Sequence, residues 1–113
     1  MHIAVFQVLY PDHPNASMRL GRGYTVGFED TVVTVIRSGP VRPSSVYVER
    51  FGSNEELLGN VREKLKRRFR HGYVLVWWTE DFPLLKWIRE RGWPVEPRAV
   101  LVPGIQFELP FLD

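Results

Sequence analysis

The sequence contains no cysteine, and none of its apolar runs is long. The lack of cysteine excludes a disulfide framework and a thiolate metal site. A membrane-spanning helix needs about 18 consecutive apolar residues, and no run in the chain approaches that length. Residues 1–6 lack the basic region and the small-residue cleavage site of a signal peptide, so they predict a first strand. Together these absences predict a cytoplasmic protein that does not enter the membrane.

Asparagine, glutamine and lysine are also scarce, whereas arginine and proline are frequent. This balance is typical of proteins from thermophiles. The net charge is +2 and the pI is about 9.2, which permits binding to nucleic acid without requiring it. With 113 residues the chain can bury one hydrophobic core but not two, so residues 1–113 are predicted to form a single domain.

Most of the predicted strands lie in the first half of the chain. Residues 2–10 are mostly apolar, residues 24–28 alternate between large apolar and small side chains, and residues 31–37 are rich in β-branched side chains. Residues 46–51 predict a short strand at the edge of the resulting hairpin. Residues 73–78, which we call the central strand, form a continuous apolar run that is typical of a strand buried on both faces.

A helix is predicted directly before the central strand, over residues 54–70. Ser53 and Glu56 have the spacing of a capping box, in which each side chain bonds a backbone amide at the start of the helix. Four apolar side chains then recur every four residues and form one buried stripe: Leu57, Val61, Leu65 and Phe69. Acidic residues in the first turn and basic residues in the last turn match the helix dipole.

The remainder of the chain predicts one more helix and one more β element. The helix starts at residues 79–81 and ends at Gly92, a loop with two prolines covers 94–97, and short β-type stretches follow at 99–102 and 105–109. A three-stranded antiparallel meander followed by βα units predicts an α/β (α+β) fold, with a mixed central sheet and helices on its faces. The central strand is expected beside the first strand.

This order of elements is that of the ribonuclease H-like fold, and three stretches resemble the 3′–5′ exonuclease domain of family B DNA polymerases. Residues 48–58 resemble the segment that leads into its first long helix. Residues 74–85 are similar to its second motif, and residues 102–109 resemble the strand that follows. The resemblance covers nearly all of the chain and implies a role in DNA replication or repair.

The positions that carry the chemistry of that family are changed in this chain. The family's first strand supplies an aspartate and a glutamate that hold two divalent cations, and the matching residues are Gln7 and Leu9. The second motif's asparagine falls on Thr79 and its catalytic aspartate on Pro83. Neutral side chains do not balance two hard cations. The resemblance therefore implies a non-catalytic, truncated domain that uses no metal and no cofactor.

The helix over 54–70 carries the predicted nucleic-acid site. Its basic side chains lie off the apolar stripe and could contact phosphates: Arg62, Lys64, Lys66, Arg67, Arg68 and Arg70. The alternative is a solvated helix face whose cations only complement the dipole. Aromatic side chains such as Tyr24, Phe28 and Trp78 could stack on unpaired bases, or could belong to the core.

Glu80 and Asp81 follow the central strand, where open α/β sheets bind ligands. With Asp12, Glu29, Asp30 or Glu108 they could form a displaced metal site, or they could simply cap a helix. Three hypotheses follow: an accessory factor that binds DNA, preferably single-stranded; a protein-interaction module, small subunit or homodimer that uses an apolar sheet edge or a tryptophan-rich face; and a nuclease with displaced carboxylates.

Overall fold

Five strands and two helices make up the part of the chain that the computed structural model describes, residues 1–10, 20–39 and 45–99. The strands are β1 (His2–Val8), β2 (Gly23–Glu29), β3 (Val32–Ser38), β4 (Ser45–Arg50) and β5 (Tyr73–Trp78), and the helices are α1 (Asn54–Arg70) and α2 (Leu85–Glu90). The strand order across the sheet is β4-β3-β2-β1-β5. The chain therefore has an α+β fold, in which β4 is the predicted edge strand.

The number of strands before α1 sets the direction of β5. After three strands, a helix would return the chain so that the next strand ran parallel to β1, which gives the predicted mixed sheet. Here β4 adds a third strand reversal, so β5 runs antiparallel to β1, with Ala4 opposite Trp78 and Val8 opposite Tyr73. The expectation that the central strand lies beside the first strand is confirmed. The sheet of the five strands is, however, entirely antiparallel.

Among the described residues, parallel pairing is limited to the segment 94–98, which runs beside β5 and is not one of the five strands. The Leu75 amide donates to the Pro94 carbonyl at 3.1 Å, and the Glu96 amide donates to the Leu75 carbonyl at 2.8 Å. The predicted loop here is thus wrong: the segment is extended and paired. Pro97 fits because it stands between Glu96 and Arg98, whose amides face β5, so its missing N–H would have pointed away from the sheet.

Both helices pack on the same face of the sheet. The apolar stripe of α1 and Ile88 of α2 join one core cluster with Phe6 and Tyr24. Phe6 meets Phe69 edge to face, with ring centres 5.6 Å apart. The opposite face carries a second cluster of Ile3, Val5, Val74 and Val76, so β5 is buried on both faces as predicted. The predicted placement of helices on both faces is not seen in the described part of the chain.

The ends of α1 follow the capping signals in the sequence. The Glu56 amide donates to Ser53 Oγ at 3.1 Å, and the Gly52 amide donates to Glu56 Oε2 at 3.2 Å, so the carboxylate reaches back one residue beyond the cap. The helix ends before Gly72, which has a φ of +88°. Neither described helix is long and apolar enough to cross a membrane.

The second helix begins later than predicted. Residues 79–84 form a turn in which the Phe82 amide donates to the Thr79 carbonyl at 3.0 Å. Thr79 does not cap a helix, because its Oγ1 accepts the Ile3 amide at 3.0 Å and so ties the end of β5 to β1. The predicted β-type stretches at 99–102, beyond Ala99, and at 105–109 lie outside the described residues, as do Asp12 and Glu108.

A tight turn at Asp30 and Thr31 joins β2 to β3. Both residues have positive φ values, +48° and +65°, as a type I′ hairpin turn requires. Thr31 is β-branched, and a β-branched residue in this region is strained by about 1–2 kcal/mol. The right-handed twist of the hairpin thus imposes a conformation that the Thr31 side chain disfavours.

Replacing Thr31 by glycine should therefore stabilise the protein by about 1 kcal/mol, because glycine adopts this φ without strain. Urea denaturation followed by circular dichroism measures the change. Thr34→Gly is the matched control: Thr34 lies within the extended β3, where glycine should destabilise by about 1 kcal/mol. If both variants lose the same free energy of unfolding, the turn is not strained.

Candidate nucleic-acid interface

Arg68, one of the six basic residues predicted to contact nucleic acid, lies inside the fold with 8% of its surface exposed. Its guanidinium carbon lies 4.7 Å from the centre of the Tyr24 ring and 5.4 Å from that of the Tyr73 ring. Burial lowers the pKa of Arg68, which the two tyrosines oppose, and burial raises the pKa of Tyr24. The contact is thus between a cation and two neutral rings. Arg68 is a structural residue here, and little of its surface is open to a phosphate.

Lys64 is also held within the protein. Its Nζ donates to Glu49 Oε1 of β4 at 2.7 Å and lies 5.7 Å from the centre of the Tyr47 ring. Only 14% of its side chain is exposed. Lys64 therefore fastens α1 to the edge strand. Its charge is balanced by Glu49, which leaves little attraction for an incoming anion.

The basic side chains that remain lie together on α1. Arg62, Lys66 and Arg70 recur every four residues and so form one row, which we call the basic row. At 100° per residue this row lies on the flank opposite to Lys64, the side of the helix away from β4. Lys66 makes an ion pair of 3.1 Å with Glu63 within the helix. Arg67 is exposed on the outer surface of α1.

A cleft with aromatic walls opens at the end of the basic row. Its volume is about 460 Å³, and we call it the aromatic cleft; it is lined by Tyr10, Phe69, Gly72, Tyr73, Val74, Trp93 and Pro94. Trp93 stacks on Phe69 with ring centres 4.7 Å apart and planes inclined by 18°. The hydroxyl of Tyr10 donates to the Glu96 carboxylate, which positions the phenol ring at the rim.

A further cation borders the aromatic cleft. The Arg91 guanidinium lies 5.3 Å from the centre of the Trp87 ring and 5.6 Å from that of the Trp93 ring. The two indoles meet edge to face, with ring centres 5.1 Å apart. This side of the molecule thus combines exposed cations with indole and phenol rings. Sequence reasoning missed the cleft, because residues 10, 69 and 93 are far apart in the chain.

The aromatic side chains named from the sequence as possible base-stacking groups lie elsewhere. Tyr24 and Phe28 are buried in the core, with 2% and 4% of their surface exposed. Trp78 is half-buried, and the Arg89 guanidinium lies 5.7 Å from its ring centre. For Tyr24 and Phe28 the alternative reading, a place in the core, is confirmed.

Carboxylates gather at a different end of the sheet. A cavity of about 480 Å³ is bordered by His2, Glu29, Asp30 and Asp81, with Leu57 among its apolar walls. His2 Nδ1 lies 3.3 Å from Asp81 Oδ1. Among the described residues, no three histidine or acidic side chains are placed so that they could hold one metal ion together.

The positions matched to exonuclease residues are separated in the fold. Gln7 and Leu9 border a pocket beside Gly23 at the far end of β1. Pro83 borders the cavity of about 480 Å³ that Asp81 also borders, beside His2 at the start of β1. The antiparallel direction of β5 causes this separation, because it delivers the residues after Trp78 to the start of β1. Even with carboxylates restored, these positions would not form one two-metal site.

No family model and no curated protein matches the sequence. A crystal structure of a protein from Bacteroides fragilis, solved by a structural genomics consortium, has a similar fold, with a TM-score of 0.52 at 16% sequence identity. The similarity covers 88% of this chain and 24% of the other, so this chain spans about a quarter of that protein's length. At this identity the likeness concerns the fold alone.

Arg68→Ala should destabilise the protein by about 2 kcal/mol, because it leaves a cavity between two rings and removes their cation. The neighbouring Arg67→Ala is the matched control and should change stability by less than about 0.5 kcal/mol, since Arg67 is exposed. Urea titrations of both variants measure the difference. A loss for Arg68→Ala no larger than that of the control would contradict the structural role of Arg68.

Proposed function

We propose that the chain binds single-stranded nucleic acid, with the basic row contacting phosphates and the aromatic cleft holding a base. One observation carries the proposal: the cleft opens where the row ends. Phe69 and Gly72 line the cleft, and Arg70 stands between them in the sequence. A strand that follows the row would therefore bring its next base to the cleft.

The geometry of α1 suits a phosphate backbone. Four residues rise by about 6 Å along a helix, so the basic row presents cations at regular intervals on one side. Each phosphate that such a cation neutralises releases a counterion, which favours binding at low salt. Arg91 adds a cation beside Trp93. The charge of this surface therefore supports binding without sequence preference.

The aromatic cleft favours a single strand over a duplex. In a duplex the bases are paired and stacked, so their faces are not accessible to side chains. An unpaired base can turn out of the strand and stack on tyrosine or tryptophan. Tyr10 is 42% exposed at the rim and offers such a ring. DNA replication and repair, where single strands occur, are the processes in which we place the protein.

The proposal assigns no catalysis to the chain. Glu29, Asp30 and Asp81 lie around His2, whereas the basic row and the aromatic cleft lie on the flank of α1 that faces Trp93. A relation to the exonuclease domain of family B polymerases, with a ribonuclease H-like fold, stays a prediction. The antiparallel pairing of β1 with β5 differs from the mixed sheet that this relation implies. Binding through α1 does not depend on the relation.

Removing two cations of the basic row should weaken binding and flatten its salt dependence. For Arg62→Gln/Arg70→Gln we expect the slope of log K against log salt to fall by roughly 1.4, because each phosphate contact to a single strand contributes about 0.7. Fluorescence anisotropy with a labelled oligothymidine, titrated at several salt concentrations, measures the slope.

The matched control is Arg22→Gln/Arg50→Gln, which removes the same charge from exposed positions away from α1. This control should keep the slope of the unmodified protein. If both double variants lose the same slope, the attraction comes from net charge and the basic row is not a site.

Tyr10→Ala tests the aromatic cleft separately from charge. Loss of one stacked base should weaken oligothymidine binding by about 1–3 kcal/mol, which is roughly 5- to 150-fold, with an unchanged salt slope. Since Tyr10 is exposed, its removal should leave the unfolding midpoint nearly unchanged. Unaltered affinity would show that the cleft does not hold a base, even if the basic row binds phosphate.

A further inference from the structure

The two ends of the sheet are protected to different degrees. Next to β5 the paired segment 94–98 contains two prolines, and proline on an outer strand blocks further pairing. β4 at the other end contains no proline, no lysine and no irregularity in its pairing with β3. β4 therefore lacks the proline, lysine and bulge that commonly protect an edge strand, although it carries Glu49 and Arg50, and no described strand pairs with its outer edge.

The outer edge of β4 offers backbone groups and apolar side chains together. The Phe51 amide donates to the Thr31 carbonyl at 2.9 Å, so residues that alternate with Phe51 face β3. The amides and carbonyls of Val46, Val48 and Arg50 consequently point outward. The side chains of Val46 and Val48 are 56% and 53% exposed. This edge can accept another strand along its whole length.

We propose that a second copy of this chain pairs with β4 in antiparallel fashion, about a two-fold axis perpendicular to the sheet. Such an axis keeps each face of the sheet on the same side. The result is one continuous sheet with five strands from each copy. Both α1 helices then lie on the same face. The proposal does not depend on binding to nucleic acid.

The charges near β4 favour a second copy of this chain as the added strand, and they favour one register of the pairing. With Val48 opposite Val48 of the second copy, Tyr47 lies opposite Glu49 of the second copy. The Arg37 guanidinium and the Lys64 ammonium both lie 5.7 Å from the centre of the Tyr47 ring. Side chains opposite each other in such a pair are about 5 Å apart at Cβ, so the incoming carboxylate comes close to the Arg37 guanidinium, while Lys64 stays paired with Glu49 of its own chain.

This register also uses every outward backbone group of the edge. Val48 pairs with itself, and Val46 pairs with Arg50 of the second copy in both directions. Each such pair exchanges two hydrogen bonds. The valine methyls are covered by Val48 and by the alkyl part of Arg50. The neighbouring register, with Tyr47 opposite itself, pairs Glu49 with Ser45 and loses the contact with Arg37.

Cysteine cross-linking tests both the dimer and its register, because the natural sequence has no cysteine. Residues that face each other in a hydrogen-bonded pair have Cα atoms about 5.5 Å apart, which suits a disulfide. Val48→Cys should therefore form a disulfide-linked dimer under mild oxidation, while Val46→Cys and Tyr47→Cys should not. Leu20→Cys, at another half-exposed apolar residue, is the control for random collision.

Light scattering across a range of protein concentrations completes the test. We expect a dimer that Val48→Lys converts to a monomer, whereas Leu20→Lys leaves it intact. A monomer at all concentrations with no cross-linking of Val48→Cys above the control would overturn the proposal. Cross-linking of Tyr47→Cys in place of Val48→Cys would reject the register, and a dimer that persists in Val48→Lys would place the interface elsewhere.

Discussion

The pairing of β5 with β1 holds the two halves of the chain together, and its direction follows from the four strands that precede α1. Because β5 is antiparallel to β1, residues after Trp78 return to the start of β1, where Thr79 bonds the Ile3 backbone. This places Asp81 beside His2 and leaves Gln7 at the other end. The same constraint separates the cavity bordered by His2 and Asp81 from the aromatic cleft bordered by Tyr10.

Patterns within single elements were sufficient to predict much of the fold. The capping box at Ser53, the four-residue apolar repeat of α1 and the apolar run of β5 each depend on neighbours in the chain, and each prediction is confirmed. The direction of β5 depends instead on how many strands precede α1. The meander was predicted with three strands plus an edge segment, and the edge segment is a full strand. One additional strand therefore changes the sheet from mixed to antiparallel.

The candidate site was predictable only in part, for a related reason. Helical spacing identified the basic side chains of α1 but not which of them are already bound within the protein. Arg68 is buried because Tyr24 and Tyr73 come from two strands on either side of β1, and Lys64 is paired because Glu49 lies on β4. The aromatic cleft joins residues from three separate parts of the chain, so no local pattern indicates it.

We propose above all that the flank of α1 bearing the basic row binds single-stranded nucleic acid through phosphates. The affinity of the unmodified protein for a labelled oligothymidine, measured as a function of salt concentration, tests this claim most directly. With three row cations engaged, log K should fall with log salt at a slope of roughly −2. No detectable binding at low salt, or an affinity that salt does not change, would contradict the claim.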